Sequence, residues 1–147
     1  MGRGRTDWAD EACQDYARRF RSRMKFEERR LRPEPFRGDV AAVRAAEGKR
    51  IVDALKAGDR LVALDERGSL QTTEALSEWV DGATRSGVKR LVFAIGGPYG
   101  HAPAVRDKAW KTLALSKMVL NHEIARLVLV EQLYRVNTLL WGGKYHH

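Results

Sequence analysis

The chain has one cysteine, Cys13, in 147 residues. No internal disulfide can form, so a small fold stapled by bridges is excluded. Cys13 has no His or Cys at metal-ligand spacing, and no metal site is expected. No apolar run approaches the ~20 residues needed to span a bilayer. No apolar stretch of a secretory signal opens the chain, and the expected setting is the cytoplasm. G-x-G-x-x-G and G-x-x-x-x-G-K-[ST] are both absent, which argues against an ordinary dinucleotide site or P-loop. There is no internal repeat, low-complexity tract or interdomain linker, so residues 1–147 read as a single domain.

What is present is positive charge. Lys and Arg number 27 against 19 Asp and Glu, for a net charge of +8. This favours a polyanionic partner, nucleic acid first and an anionic membrane second. Hydrophobic residues make up 44% and charged residues 31%, the balance of a folded globular domain.

The chain is organised around Leu91-Val-Phe-Ala-Ile-Gly-Gly-Pro-Tyr-Gly100. A short apolar run closed by glycines reads as a buried strand, of the kind that helices cover on both faces. In open α/β sheets, ligands bind outside the carboxyl ends of the strands. Glycine there lets backbone approach a ligand closely. The glycines alone also fit a plain tight turn.

A helix is expected from Thr6 or Asp7, with Trp8, Ala12, Tyr16 and Phe20 on its buried face and Cys13 packed beside it. The cluster Arg18, Arg19, Arg21, Arg23 and Lys25 fits a solvated face or phosphate contact. Phe26 to Arg32 reads as an edge strand. Asp39 caps a helix to about Ala57, with Val40, Val43, Ile51 and Leu55 inward and Gly48 in a packing role. Leu61 to Leu64 is a second buried strand, ending at Asp65-Glu66-Arg67-Gly68. Thr72 or Thr73 caps a helix to about Arg85, with Leu76, Trp79, Val80 and Ala83 inward. Strand–helix–strand alternation predicts an α/β fold with a mostly parallel sheet. Pro103 opens a short helix to Trp110. Thr112 to Leu120 reads as a strand entering a buried loop. Asn121 caps a long helix to about Leu140, with Ile124, Leu127, Val128, Glu131, Tyr134, Arg135 and Thr138 along one stripe. Leu129, Val130 and Leu133 lie off that stripe, so the helix is expected to be buried on several sides. Glu131 pairs with Arg135, and His122 shares a face with Arg126.

The segments IGGPYG, LSKM, HEIAR, VEQLYR and a C-terminal YHH, in this order and spacing, resemble the RlmH family of SPOUT methyltransferases. The resemblance runs from about Asp7 to the C-terminus. It implies an α/β domain with a C-terminal trefoil knot, a rare exception to unthreaded connections. It implies methylation of N3 of a pseudouridine in 23S ribosomal RNA within the ribosome, and a homodimer that shares its active site. It places S-adenosylmethionine in three loops: at Leu64, at Gly96, and at Leu115, Ser116, Lys117, Met118, Val119 and Leu120. Gly96 would allow close approach, while Leu64, Leu115, Met118 and Leu120 would supply an apolar slot. Arg135, Tyr145 and His146 are the candidates for the catalytic end, with His122 and Arg126 as further cations; no general base is assigned. Three departures stand out. Asn121 replaces the family's proline before the histidine, His147 replaces its final Lys or Arg, and the family's first apolar strand has no counterpart ahead of Trp8. Two other readings stay open: a non-catalytic basic RNA- or ribosome-binding module, and a different nucleotide-binding α/β enzyme.

Overall fold

A computed structural model of the protein describes residues 3–20 and 24–142, with side chains from Trp8 onward. The first helix, α1, spans Arg3–Arg19, so Thr6 and Asp7 lie inside it and do not cap it. Ala9 and Cys13 within it and Phe20 just after it are buried, while Trp8 is exposed. The inward face is therefore rotated one residue from the expected stripe at its start, while Phe20 is buried as expected and Tyr16 packs against the same core. Cys13 is packed as expected, at the interface with the C-terminal helix. Arg21 and Arg23 lie outside the described residues.

The expected edge strand at Phe26 to Arg32 is not formed; among the described residues the segment pairs with no strand. Its side chains explain this. Phe26 packs on Phe20 at a ring separation of 5.3 Å. Glu28 and Arg30 turn into ion pairs with Arg126 and Asp10, at 2.8 and 2.6 Å. Side-chain pairing with two helices thus takes the place of a backbone ladder.

Helix α2 spans Val40–Ala54 and opens on Asp39, whose carboxylate accepts from the Ala41 and Ala42 amides. Strand β1 is Asp59–Leu70, longer than the apolar run suggests. Helix α3, Thr73–Arg85, is capped by the Thr72 hydroxyl. Strand β2 is Arg90–Ile95, and helix α4, Pro103–Lys108, carries its proline in the first turn. Strand β3 is Lys111–Ala114. Helix α5 is His122–Asn137, with Asn121 as its cap, and passes into a π-helical turn at Thr138–Gly142. The expected α-helix thus stops three residues early, where the Thr138 hydroxyl donates to the Tyr134 carbonyl.

The sheet is all parallel in the order β2-β1-β3. Alternation along β1 builds two cores. Val62 faces a core of Cys13 from α1, Phe20 just after it, Leu76 and Val80 from α3, Leu113 from β3, and Leu129, Val130, Leu133 and Val136 from α5. Leu61 and Ala63 face the other side with Ala94 and Val105, closed by Ile51, Val52 and Leu55 of α2. Helices therefore cover both faces, which is why the strands read as continuous apolar runs.

Gly48 explains how α2 and α4 fit together. A Cβ there would lie 2.8 Å from the Ala102 Cβ and 3.2 Å from Val105 Cγ2. The main correction concerns α5. Leu129, Val130, Leu133 and Val136, the first three of them read as off-stripe, are its core face. The stripe of Ile124, Leu127, Val128, Glu131, Tyr134, Arg135 and Thr138 is half-buried or exposed.

Candidate active site

Strand register gathers the sequence-predicted loops. Leu64 on the central strand pairs with Ile95 on one side and Leu113 on the other. Ile95 immediately precedes Gly96, and Leu113 stands two residues before Leu115. Leu64, Gly96 and Leu115 therefore meet at the carboxyl end of one parallel sheet. This is the position where α/β folds take ligands.

Beyond Leu64 the strand bulges. Leu113 faces Leu64 and then Ser69, so residues 65–68 loop out of the ladder. Asp65-Glu66-Arg67-Gly68 is thus a bulge within β1 and not its end. The bulge is closed by Asp65, whose side chain is 5% exposed and accepts from the Arg67 amide at 2.9 Å and its guanidinium at 3.0 Å. Those bonds hold the Asp65 carboxyl below its usual range against the opposing effect of burial. Gly68 returns the chain: a Cβ there would lie 2.7 Å from the Thr112 carbonyl oxygen.

The glycine turn is a cradle. A Cβ on Gly96 would meet the Gly100 carbonyl carbon at 3.2 Å and the His101 ring at 3.3 Å. A side chain there would press first on the turn itself. A Cβ on Gly97 would lie 2.5 Å from Glu47 Oε2. The Gly100 amide donates to the Gly97 carbonyl at 3.0 Å, closing the turn around Pro98 and Tyr99. Beneath it lies His101, buried, with Nε2 donating to the Ala94 carbonyl at 3.1 Å. Its Nδ1 is buried without a hydrogen-bond partner. Burial lowers the His101 pKa, so the ring is neutral at pH 7. Sequence reading missed His101 because a lone histidine after a glycine turn carries no signal of burial. It missed Asp65 because the strand reads as ending at Asp65-Glu66-Arg67-Gly68.

The loop after β3 is less buried than expected. Leu115, Ser116 and Leu120 are half-buried, Lys117 is exposed, and Met118 and Val119 are 73% and 79% exposed. The Ser116 hydroxyl accepts from the Met118 amide at 2.9 Å and shapes the bend.

Of the candidate cations, Arg135 is half-exposed and ion-paired with Glu131, as the spacing predicts. Arg126 is 13% exposed and bound to Asp10, Glu28 and Glu123 at 2.6, 2.8 and 3.1 Å. It ties α1 to α5 and to the segment at Glu28. The same contacts hold Asp10 below its ordinary pKa. His122 is exposed, with Nε2 3.5 Å from Glu123. Tyr145 and His146 lie outside the described residues. Among the described residues no group of acidic, His or Cys side chains could hold a metal.

The model of the family described as "Predicted SPOUT methyltransferase" matches residues 1–146. A protein named ribosomal RNA large subunit methyltransferase H from Geobacter sp. (strain M21) is 37% identical over 147 residues, covering 100% of this chain and 95% of that protein. The protein of the same name from Verminephrobacter eiseniae is 41% identical over 147 residues, with coverages of 99% and 94%. That from Phocaeicola vulgatus is 46% identical over 101 residues, covering 69% and 64%. With the parallel sheet and its convergent loops, these matches lead to one conclusion: the chain belongs to the SPOUT methyltransferase family.

Proposed function

We propose that the protein is an S-adenosylmethionine-dependent methyltransferase acting on N3 of a pseudouridine in 23S ribosomal RNA, within the ribosome. The observation that carries this reading is the convergence of Leu64, Gly96 and Leu115 at one end of the sheet. The glycine turn suits a cofactor, since a Cβ on Gly96 would press on Gly100 and His101 and one on Gly97 would meet the Glu47 carboxylate. Backbone groups at such a turn can read a nucleoside edge at close range. Leu64, Leu115 and Leu120 are apolar and half-buried, suited to an apolar slot, with Ser116, Lys117, Met118 and Val119 forming the outer wall.

When bound, the cofactor supplies a methyl group on a sulfonium centre. The protein's part is to align donor and acceptor in line and to exclude competing geometries. The N3–H proton of the acceptor ring must leave, and nearby positive charge stabilises the resulting anion. Arg135, Tyr145 and His146 are proposed for this end of the site.

The trefoil knot and a homodimer belong to the same proposal. Met118, Val119 and Ile124 are exposed apolar residues on the loop and first turn of α5. Exposed apolar surface of this kind suits a subunit contact. Light scattering at micromolar concentration tests it: a dimer mass is expected, and a monomer contradicts it. A cytoplasmic setting fits the RNA substrate, and among the described residues no helix is long and apolar enough to cross a membrane.

The test of the function is calorimetry with S-adenosylmethionine and S-adenosylhomocysteine. Both should bind at one site per chain. Absence of binding to either would leave only the non-catalytic RNA-binding reading.

A further inference from the structure

The tip of the glycine turn carries an aromatic pair. Tyr99 and Phe36 are 37% and 55% exposed, though both are large and apolar. Their ring centroids lie 5.8 Å apart with the planes inclined at 38°. The two residues come from distant segments, the loop before α2 and the turn after β2.

The Tyr99 main chain is tied down by two hydrogen bonds. The Gly100-to-Gly97 hydrogen bond closes the turn beneath it. Arg44 Nε of α2 donates to the Tyr99 carbonyl at 2.8 Å. The backbone from which the ring projects is therefore fixed, which lowers the entropy cost of using Tyr99 as a binding anchor. Among the described residues, no cation sits over either ring. Trp110 differs, since Arg60 lies 4.6 Å from its centroid. Arg37, next to Phe36, is exposed and has no carboxylate partner among the described residues. Asp39, the nearest acid in sequence, is engaged with the Ala41 and Ala42 amides.

Open aromatic faces beside an uncompensated guanidinium are the elements of single-stranded nucleic-acid recognition: the ring stacks on a base and the cation meets a phosphate. We propose that Phe36 and Tyr99 form a stacking platform for an unpaired nucleobase of the RNA substrate, with Arg37 on the adjoining phosphate. The platform rests on the function proposed above, since its place is two residues from Gly97 at the edge of the cofactor turn. Polyanion attraction alone does not account for it, because a protein of net charge +8 needs no exposed aromatic pair for that purpose.

The experiment measures the affinity of the protein for ribosomes from a strain lacking the methylation. It compares wild type, Phe36→Ala, Tyr99→Ala and Tyr99→Phe, with S-adenosylmethionine affinity and molecular mass measured in parallel. Phe36→Ala and Tyr99→Ala should each weaken ribosome binding by about fivefold or more. Tyr99→Phe should bind like wild type, because the ring and not the hydroxyl stacks. Molecular mass should be the same in all four. Unchanged ribosome affinity in both alanine variants would overturn the platform. So would a loss of dimer mass in them, which would make the pair a contact with a second copy. A wild type that binds ribosomes but not S-adenosylmethionine would overturn the enzymatic reading alone, and the alanine variants would still decide the platform.

Discussion

His101 donates from Nε2 to the Ala94 carbonyl at 3.1 Å, which fixes a buried ring directly under the glycine turn. The ring takes part in no charged hydrogen bond, and burial holds its pKa below the ordinary value, with the Arg106 charge acting the same way and Asp65 opposing it. The sign of the consequence follows. An unfolded-chain histidine titrates near pH ~6.5. Above that value both states are neutral and the full stability is present. As pH falls toward the lower folded value, the unfolded chain takes up a proton that the native ring refuses, and stability is lost. His101→Asn should flatten this loss. Urea denaturation at about pH 7.5 and 5.5 checks it; parallel losses in wild type and variant would show that the ring is not the titrating group.

Gly48→Ala sets two effects against each other. Removing a helix-interior glycine favours α2 by ~1 kcal/mol. The new Cβ would stand 2.8 Å from the Ala102 Cβ, and overpacking costs ~1–3 kcal/mol. Overpacking should win, giving a net loss of stability in thermal melts. A raised melting temperature would mean that α4 moves aside freely.

Gly96→Val should abolish S-adenosylmethionine binding while circular dichroism stays near wild type. The first added carbon already presses on Gly100 and His101, so the turn must shift. Unchanged affinity in calorimetry would remove the turn from the cofactor site.

Arg126→Met tests the ionic cluster. It would leave Asp10, Glu28 and Glu123 facing one another with Arg30 as the main remaining cation. Breaking a buried pair costs ~3–5 kcal/mol, and the partly exposed carboxylates here place the loss at or below the lower end. Cofactor affinity should not change. A variant of full stability that lost methyl transfer would instead make Arg126 part of the chemistry.

These cases separate what the sequence carries from what it hides. Runs such as Leu61–Leu64 and Leu91–Ile95 announce buried parallel strands, since every residue meets a helix on one face or the other. Caps at Asp39 and Asn121, and at Thr72 to within one residue, are legible because a side-chain oxygen followed by a helical pattern has a local cause. The face of α5 was not legible. Apolar residues nearly surround it, and only packing against α1 and α3 selects Leu129, Val130, Leu133 and Val136. Glu28 and Arg30 look like edge-strand charges, but their partners lie on helices distant in sequence. The convergence of Leu64, Gly96 and Leu115 is a property of register, which a linear pattern cannot display.

Removing residues 144–147 should leave S-adenosylmethionine affinity intact and reduce methyl transfer by at least about tenfold, or ~1.4 kcal/mol of transition-state stabilisation. Full activity in the truncated protein would show that Tyr145 and His146 are not needed at the catalytic end.

The most direct test of the central claim is incorporation of tritiated methyl from S-adenosylmethionine into ribosomes from a strain lacking the enzyme, followed by mapping of the labelled nucleotide. The account predicts label in 23S ribosomal RNA, at N3 of one pseudouridine, approaching one methyl per ribosome. A protein that binds both cofactor and ribosome yet transfers no methyl group, or that labels a different RNA, would contradict it.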